Sequence, residues 1–211
     1  ALICLLLPAT RSARPAAYRV QCSNNLKQLA LALYSYADAN DDQFPPAYTV
    51  DADGQPLHSW RTLLLPYLEQ QALYNSIDLT KPWDHPANEQ ARNTIVSAFV
   101  CPAAGPSSTQ TGYLVVRANE GFFSGSQPFR IKHHEGRGRF GSTVLVVETS
   151  DQHHVHWMLP ADIDMATWGL GVTTLPKQNW QSMKAMQVAR QDWHITQVRW
   201  GLIYHSMPMM R

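Results

Sequence analysis

AAYRVQCSNNLKQLALALYSYAD (Ala16–Asp38) draws one apolar stripe along a helix. Cys22, Leu26, Leu29, Leu33 and Tyr36 recur at intervals of four, three, four and three, the spacing of neighbours on a single helix face. Ala30 and Ala37 widen the stripe, whereas Arg19, Asn25, Lys27, Gln28 and Ser35 are expected to look elsewhere. No Pro or Gly interrupts the segment, and Leu, Ala, Lys and Gln are good helix formers. At about 1.5 Å per residue it spans roughly 35 Å, enough to cross a small domain. A helix this one-sided needs a partner, so the rest of the chain is expected to lay a sheet against it.

Upstream, Ala1–Leu7 is uninterruptedly apolar, followed by Pro8, Arg11, Arg14 and Pro15. The run falls short of the roughly 20 residues that span a bilayer, and it lacks the basic lead of a signal peptide. It reads as part of a longer apolar helix, kinked at Pro8 and loosened or restarted at Pro15. Arg11, Arg14 and Arg19 would mark the exit from a membrane. Downstream, Asn40-Asp41-Asp42, Pro45-Pro46 and Asp53-Gly54 signal a loop. Ser59 is a candidate N-cap for a helical run carrying Trp60, Leu63, Leu64, Tyr67, Leu68 and Leu73, which Pro66 should split in two. Asn88–Phe99 reads as a short helix, and Tyr113–Ala118 and Thr143–Thr149 read as strands. His154–Met158 is the expected hairpin partner of the second strand, and Ala161–Trp168 a further short helix. The class is α+β.

Seventeen Lys+Arg against sixteen Asp+Glu leave a formal charge of +1 without charged blocks, which gives no push toward nucleic acid or acidic substrates. An apolar fraction of 45% in 211 residues supports one core of ordinary size. The three cysteines form no C-x-x-C pair, against a zinc knuckle or a thioredoxin-type site. Cys22 bridged to Cys101 would tie the helix to the following domain in an oxidising compartment. Two buried free thiols are the other reading, and the residues leave both open.

Gly136–Gly141 spells G-x-G-x-x-G, but a strand follows it where a dinucleotide site needs a helix N-terminus, so it reads as a loop. His133, His134, His153, His154 and His156 flank the TVLVVET strand and are metal-ligand candidates if the strand ends converge. Solvated loop histidines are the plainer alternative, and the H-E-x-x-H pattern fails at His134-Glu135. Asp41 with Asp42, and Asp162 with Asp164, sit in turn-like contexts that suit solvation better than calcium. No catalytic residue and no cofactor site is assigned, and an enzyme is not expected.

The run LLLPATRSARPAAYRVQCSNNLKQLALALYSYAD resembles the start of a bacterial, largely planctomycete, family of pseudopilin-like proteins, with a prepilin-type N-terminal helix followed by a domain of unknown function. The resemblance continues through Gln43–Ala47, Ser59–Tyr74, Pro82–Asn88, Phe99–Pro102, Gly141–Glu148 and Val155–Met165. It implies a pilin-like head of antiparallel sheet on a long helix, with no activity of its own. It also implies an inner-membrane anchor, an extracytoplasmic head, and partners of the same kind in a type II secretion or pilus-like assembly. An envelope-anchored module binding a glycan or metal on the same fold is the alternative. Family position makes Trp60, Trp83 and Trp157 packing residues rather than a sugar-stacking face. The prepilin cleavage motif is absent, and the likeness fails after about Gly171. The expected organisation is therefore residues 1–15 as the end of an anchor, 16–170 as helix plus head, and 171–211 as an unassigned, divergent tail. A reading-frame slip would also explain that tail, and translating the other frames of its gene tests the idea.

Overall fold

The computed structural model describes residues 3–102, 108–117, 123–130, 146–149 and 154–164, with side chains of the first helix from Ala17 onward, Arg19 apart. Ile3–Ala39 is one continuous helix, α1. It runs through Pro8 and Pro15 instead of restarting, since a proline forfeits one intrahelical N–H bond while its neighbours keep theirs. Among the described residues, no helix is long and apolar enough to cross a membrane. The helix ends where Asp41 and Asp42 both adopt left-handed backbone, φ 52° and 57°. Asn40 Nδ2 donates to Tyr36 O at 2.7 Å and so satisfies one of the last carbonyls.

The stripe is buried as its spacing requires, except that Tyr36 at its end is half-buried. Cys22, Leu26, Leu29, Ala30, Leu33 and Ala37 are all inside, with Leu29 and Leu33 at 0% exposure. Lys27, Gln28 and Ser35 are exposed. Asn25 corrects the expectation: it is buried, and its Nδ2 donates to Val100 O at 2.9 Å. A polar side chain beside the stripe is drawn inward because a loop carbonyl there needs a donor.

After α1 come β1 (Gln43–Phe44), β2 (Tyr48–Val50) and β3 (Pro56–Ser59). The Asn40–Pro56 region is thus not all loop. β2 and β3 form an antiparallel hairpin around Gly54, whose φ of +81° suits glycine. Asp51 Oδ1 accepts from the Asp53 and Gln55 amides and shapes that turn. Ser59 caps α2 (Trp60–Leu64), its hydroxyl accepting from Arg61 N. Pro66 sits in a 3-10 turn, Leu65–Leu68, and α3 (Gln71–Asn75) follows. The expected Asn88–Phe99 helix is fragmented into a 3-10 turn at Pro86–Asn88, α4 (Glu89–Arg92) and another 3-10 turn at Ser97–Phe99. Asn88 is spent on the Asp78 amide and on the Asp78 and Pro82 carbonyls, which fixes the loop before α4.

The remaining strands are β4 (Gln110–Thr111), β5 (Tyr113–Arg117), β6 (Phe129–Arg130), β7 (Val146–Glu148), β8 (Val155–His156) and β9 (Ile163–Asp164). β1 pairs with β6 and β4 with β8, both antiparallel, while β5 is central between β7 and β9. Two expectations change here. β8 is the partner of β4, not of β7, and Ile163–Asp164 is a strand where a helix was expected. Moreover, β9 runs parallel to β5, so the sheet is not wholly antiparallel. Such short segments carry too few residues for periodicity to decide their state.

β5 alternates as a strand covered on both faces. Tyr113 and Val115 join the main core with the α1 stripe, Phe44, Trp60, Phe99, Val146 and Trp157. Leu114, with Val147 and Ile163, forms a smaller cluster on the other side. The helix makes its main contacts with β1, α2 and the 3-10 turns at Leu65–Leu68 and Ser97–Phe99, so short helices mediate between spine and sheet. The described architecture is α+β: an N-terminal helix, several short helices and small, chiefly antiparallel sheets.

Candidate functional site

Among the described residues, two clusters of polar chemistry inside this head stand out. In the first, Ser59 opens α2, so Trp60 and Arg61 project from its first turn. Arg61 is fully buried, and its Nη1 meets Asp162 Oδ1 at 2.9 Å. Three further donors are taken: Nε bonds Trp157 O at 3.0 Å, and Nη2 bonds Ala161 O at 3.1 Å and Leu159 O at 3.4 Å. The guanidinium packs 5.2 Å from the centre of the Trp60 ring.

Asp162 Oδ1 accepts from Trp60 Nε1 and from Val115 N, both at 3.1 Å, whereas Oδ2 is buried without a hydrogen bond. One carboxylate oxygen therefore joins α2, β5 and the segment leading into β9. Burial raises the Asp162 carboxyl to about 6, against the pull of Arg61 and the N–H donors. With four of its five N–H donors on protein acceptors and the whole group buried, the guanidinium is not presented to an anionic ligand, so the pair acts as a tie. Asp162, read from the sequence as a solvated turn residue, is corrected to a buried ion-pair partner. The visible signal was Arg61 amid the apolar SWRTLLL run.

The second cluster is on α1. Cys22 and Cys101 are joined in a disulfide, with Cα atoms 5.3 Å apart. It closes a sequence separation of 79, for which the chain-entropy model gives about 4.5 kcal/mol. Of the two readings left open by the residues, the structure has the bridge. Asn25 Nδ2 also reaches Tyr113 OH at 3.5 Å, and that hydroxyl donates to Cys22 O at 3.5 Å. Burial, then the negative charge of Glu148, push the Tyr113 phenol upward, while the Asn25 bond opposes them. A Glu148 oxygen and the two sulfurs all lie within 4.8 Å of one another. Glu148 at the end of a strand carried no signal in the sequence, because only pairing in the sheet brings it to the cysteines.

The histidines divide. His133, His134 and His153 lie outside the described residues, as do Cys4, Gly136–Gly141 and the tail from residue 171. His156 is committed: Nε2 donates to Arg92 O at 3.0 Å, and Nδ1 accepts from Met158 N at 3.2 Å. Its ring lies 5.0 Å from Trp83, and burial lowers its affinity for a proton. His154 packs against Gly112, where an added Cβ would come within 2.5 Å of Nε2. Neither belongs to a metal-ligand group among the described residues. His58, unmarked in the sequence, is fully buried with neither ring nitrogen in a hydrogen bond. The Asp78 and Lys81 backbone groups favour its protonated form without meeting bonding geometry, and burial outweighs them and lowers its pKa.

Trp60 and Trp157 are buried, packing on Phe123 and Phe99 at 6.1 and 5.9 Å, and Trp157 Nε1 donates to Thr94 O. They are packing residues. Asp41 and Asp42 form the turn that ends α1.

These features define an α+β head held on an N-terminal helical spine by a disulfide, and braced internally by a buried arginine–carboxylate tie. Residues 11–161 match the model of a family described as "Protein of unknown function (DUF1559)", well over half of the chain, and the protein belongs to that family. No curated protein and no solved structure matches the chain.

Proposed function

We propose that the protein is a non-enzymatic, pseudopilin-like subunit of a type II secretion or pilus-like envelope assembly. In this reading it is anchored in the inner membrane with its head on the extracytoplasmic side. The supporting observation is the change of environment along α1. From Cys22 to Ala37 the stripe is sealed into the head, whereas the described residues before it, Ala17, Tyr18 and Val20, are exposed. Nineteen residues of helix, Ile3 to Gln21, precede Cys22, roughly 28 Å at about 1.5 Å each. A helix exposed at Ala17, Tyr18 and Val20 that also carries the apolar Ile3–Leu7 run calls for apolar neighbours. Neighbouring rods of like subunits and the bilayer are the partners of this reading. The disulfide fits an oxidising compartment.

Trp60 and Trp157 are buried in packing and His156 is committed to backbone groups, which favours assembly over the alternative, an envelope-anchored glycan- or metal-binding module. Site-specific cross-linking in cells tests the choice. The full-length protein would carry a photo-reactive residue at exposed Val20, or at exposed Leu31 on the same helix face. A ladder of oligomers supports assembly. Monomers whose melting rises with an added glycan or metal overturn it in favour of the module.

A further inference from the structure

The Cys22–Cys101–Glu148 group is more than a disulfide with a bystander. We propose that, when the bridge is reduced, the two thiolates and the Glu148 carboxylate bind one thiophilic divalent cation, of which zinc is the representative. α1 supplies Cys22, the segment after the Ser97–Phe99 turn supplies Cys101, and β7 supplies Glu148. Their ligand atoms already lie within 4.8 Å of one another. Two zinc–sulfur bonds of about 2.3 Å at a tetrahedral angle place the sulfurs roughly 3.8 Å apart. The Cα atoms stand 5.3 Å apart, so opening the sulfurs to that separation calls for rotation of the two side chains. The carboxylate oxygen is the third ligand, and a water takes the fourth position.

The environment suits a metal better than free thiolates. Both cysteines are buried and Glu148 is half-buried, so a dication there would neutralise three anionic ligands gathered away from bulk water. Thiols bind such a cation as thiolates, so coordination releases the protons they carry. Reduction by a phosphine is balanced: the disulfide and one water become two thiols, and the phosphine becomes its oxide. In the cell the same state is the newly made chain before its thiols are oxidised. The helix-to-head tie thus has two interchangeable chemistries, covalent when oxidised and metal-mediated when reduced. This inference stands independently of the assembly reading.

The test uses the full chain carrying Cys4→Ser, reduced by phosphine and titrated with cobalt(II), then zinc(II). A thiolate-to-cobalt charge-transfer band is expected to saturate at one metal per chain, bleach with zinc, and accompany release of close to two protons. Glu148→Gln, which preserves shape, should keep the band but weaken binding by roughly tenfold or more, judged against the effect of losing even an outer partner of a ligand. Far-UV circular dichroism establishes that the reduced variants remain folded. The histidines near residues 133 and 153 offer nitrogen ligands, and binding through them would appear without the band and survive Cys22→Ser. That outcome, no band in the reduced chain, or equal affinity in Glu148→Gln, overturns the proposal.

Discussion

Replacing Asp162 by alanine should be among the most damaging single changes in the head. It strips the fully buried Arg61 guanidinium of its counter-ion. Breaking a buried ion pair from one side costs about 3–5 kcal/mol. The same change leaves Trp60 Nε1 and Val115 N without their acceptor. An abandoned buried donor costs about 1–3 kcal/mol, although such losses within one network do not simply add. A total of about 4–6 kcal/mol is expected, a large part of the roughly 5–15 kcal/mol that holds a domain folded. Asp162→Asn keeps an oxygen for those two donors and loses only the charge, so it should fall between wild type and alanine. Arg61→Met with Asp162→Leu removes both charges and should recover the ion-pair share of the loss, but not the share from the Trp60 and Val115 donors and the carbonyls it leaves unpaired. Urea unfolding of all four proteins, oxidised and at one pH, measures the series. A loss below about 1 kcal/mol for Asp162→Ala, or a double variant no better than the single, would refute the tie.

Leu29→Asp with Leu33→Asp puts two carboxylates at positions of 0% exposure and should abolish cooperative unfolding. An unchanged thermal melt would remove α1 from its place as the spine. Asn25→Ala leaves Val100 O without its donor and should cost about 1–3 kcal/mol in urea, whereas Lys27→Ala, on the exposed side, should stay within about 0.5 kcal/mol. Burial lowers the pKa of His58 and His156 from 6.5. Below 6.5 the unfolded chain takes up protons that the folded chain refuses, so their share of stability is lost as pH falls through that value. Asp162 works in the opposite direction between about 6 and 3.8, because the folded form holds that proton more tightly. Urea midpoints across pH should therefore fall less steeply on the acid side in His58→Gln than in wild type, and equal slopes would contradict the assignment.

The spine was legible because a helix declares itself locally. Cys22, Leu26, Leu29 and Leu33 share a face whatever they pack against, and a face that apolar must be covered. Ser59 and the Pro66 break were legible for the same reason, since caps and prolines act on their own backbone neighbours. Asn25 was misread because its spacing places it only beside the stripe, and the Val100 carbonyl that draws it inward arrives from 75 residues away. β8 went to the wrong partner, and β9 was taken for a helix, because two-residue strands exist through pairing alone.

Local spacing by itself determined the amphipathic helix, its buried face, the main turns and the α+β class. Tertiary structure alone decided that Arg61 meets Asp162, 101 residues away, that Cys22 is bridged to Cys101, and that Glu148 stands beside that bridge. The physical reason is one of range: periodicity, caps and turns act over a few neighbouring residues. A buried charge or thiol, by contrast, takes its meaning from whichever distant group the fold brings within a few ångströms of it.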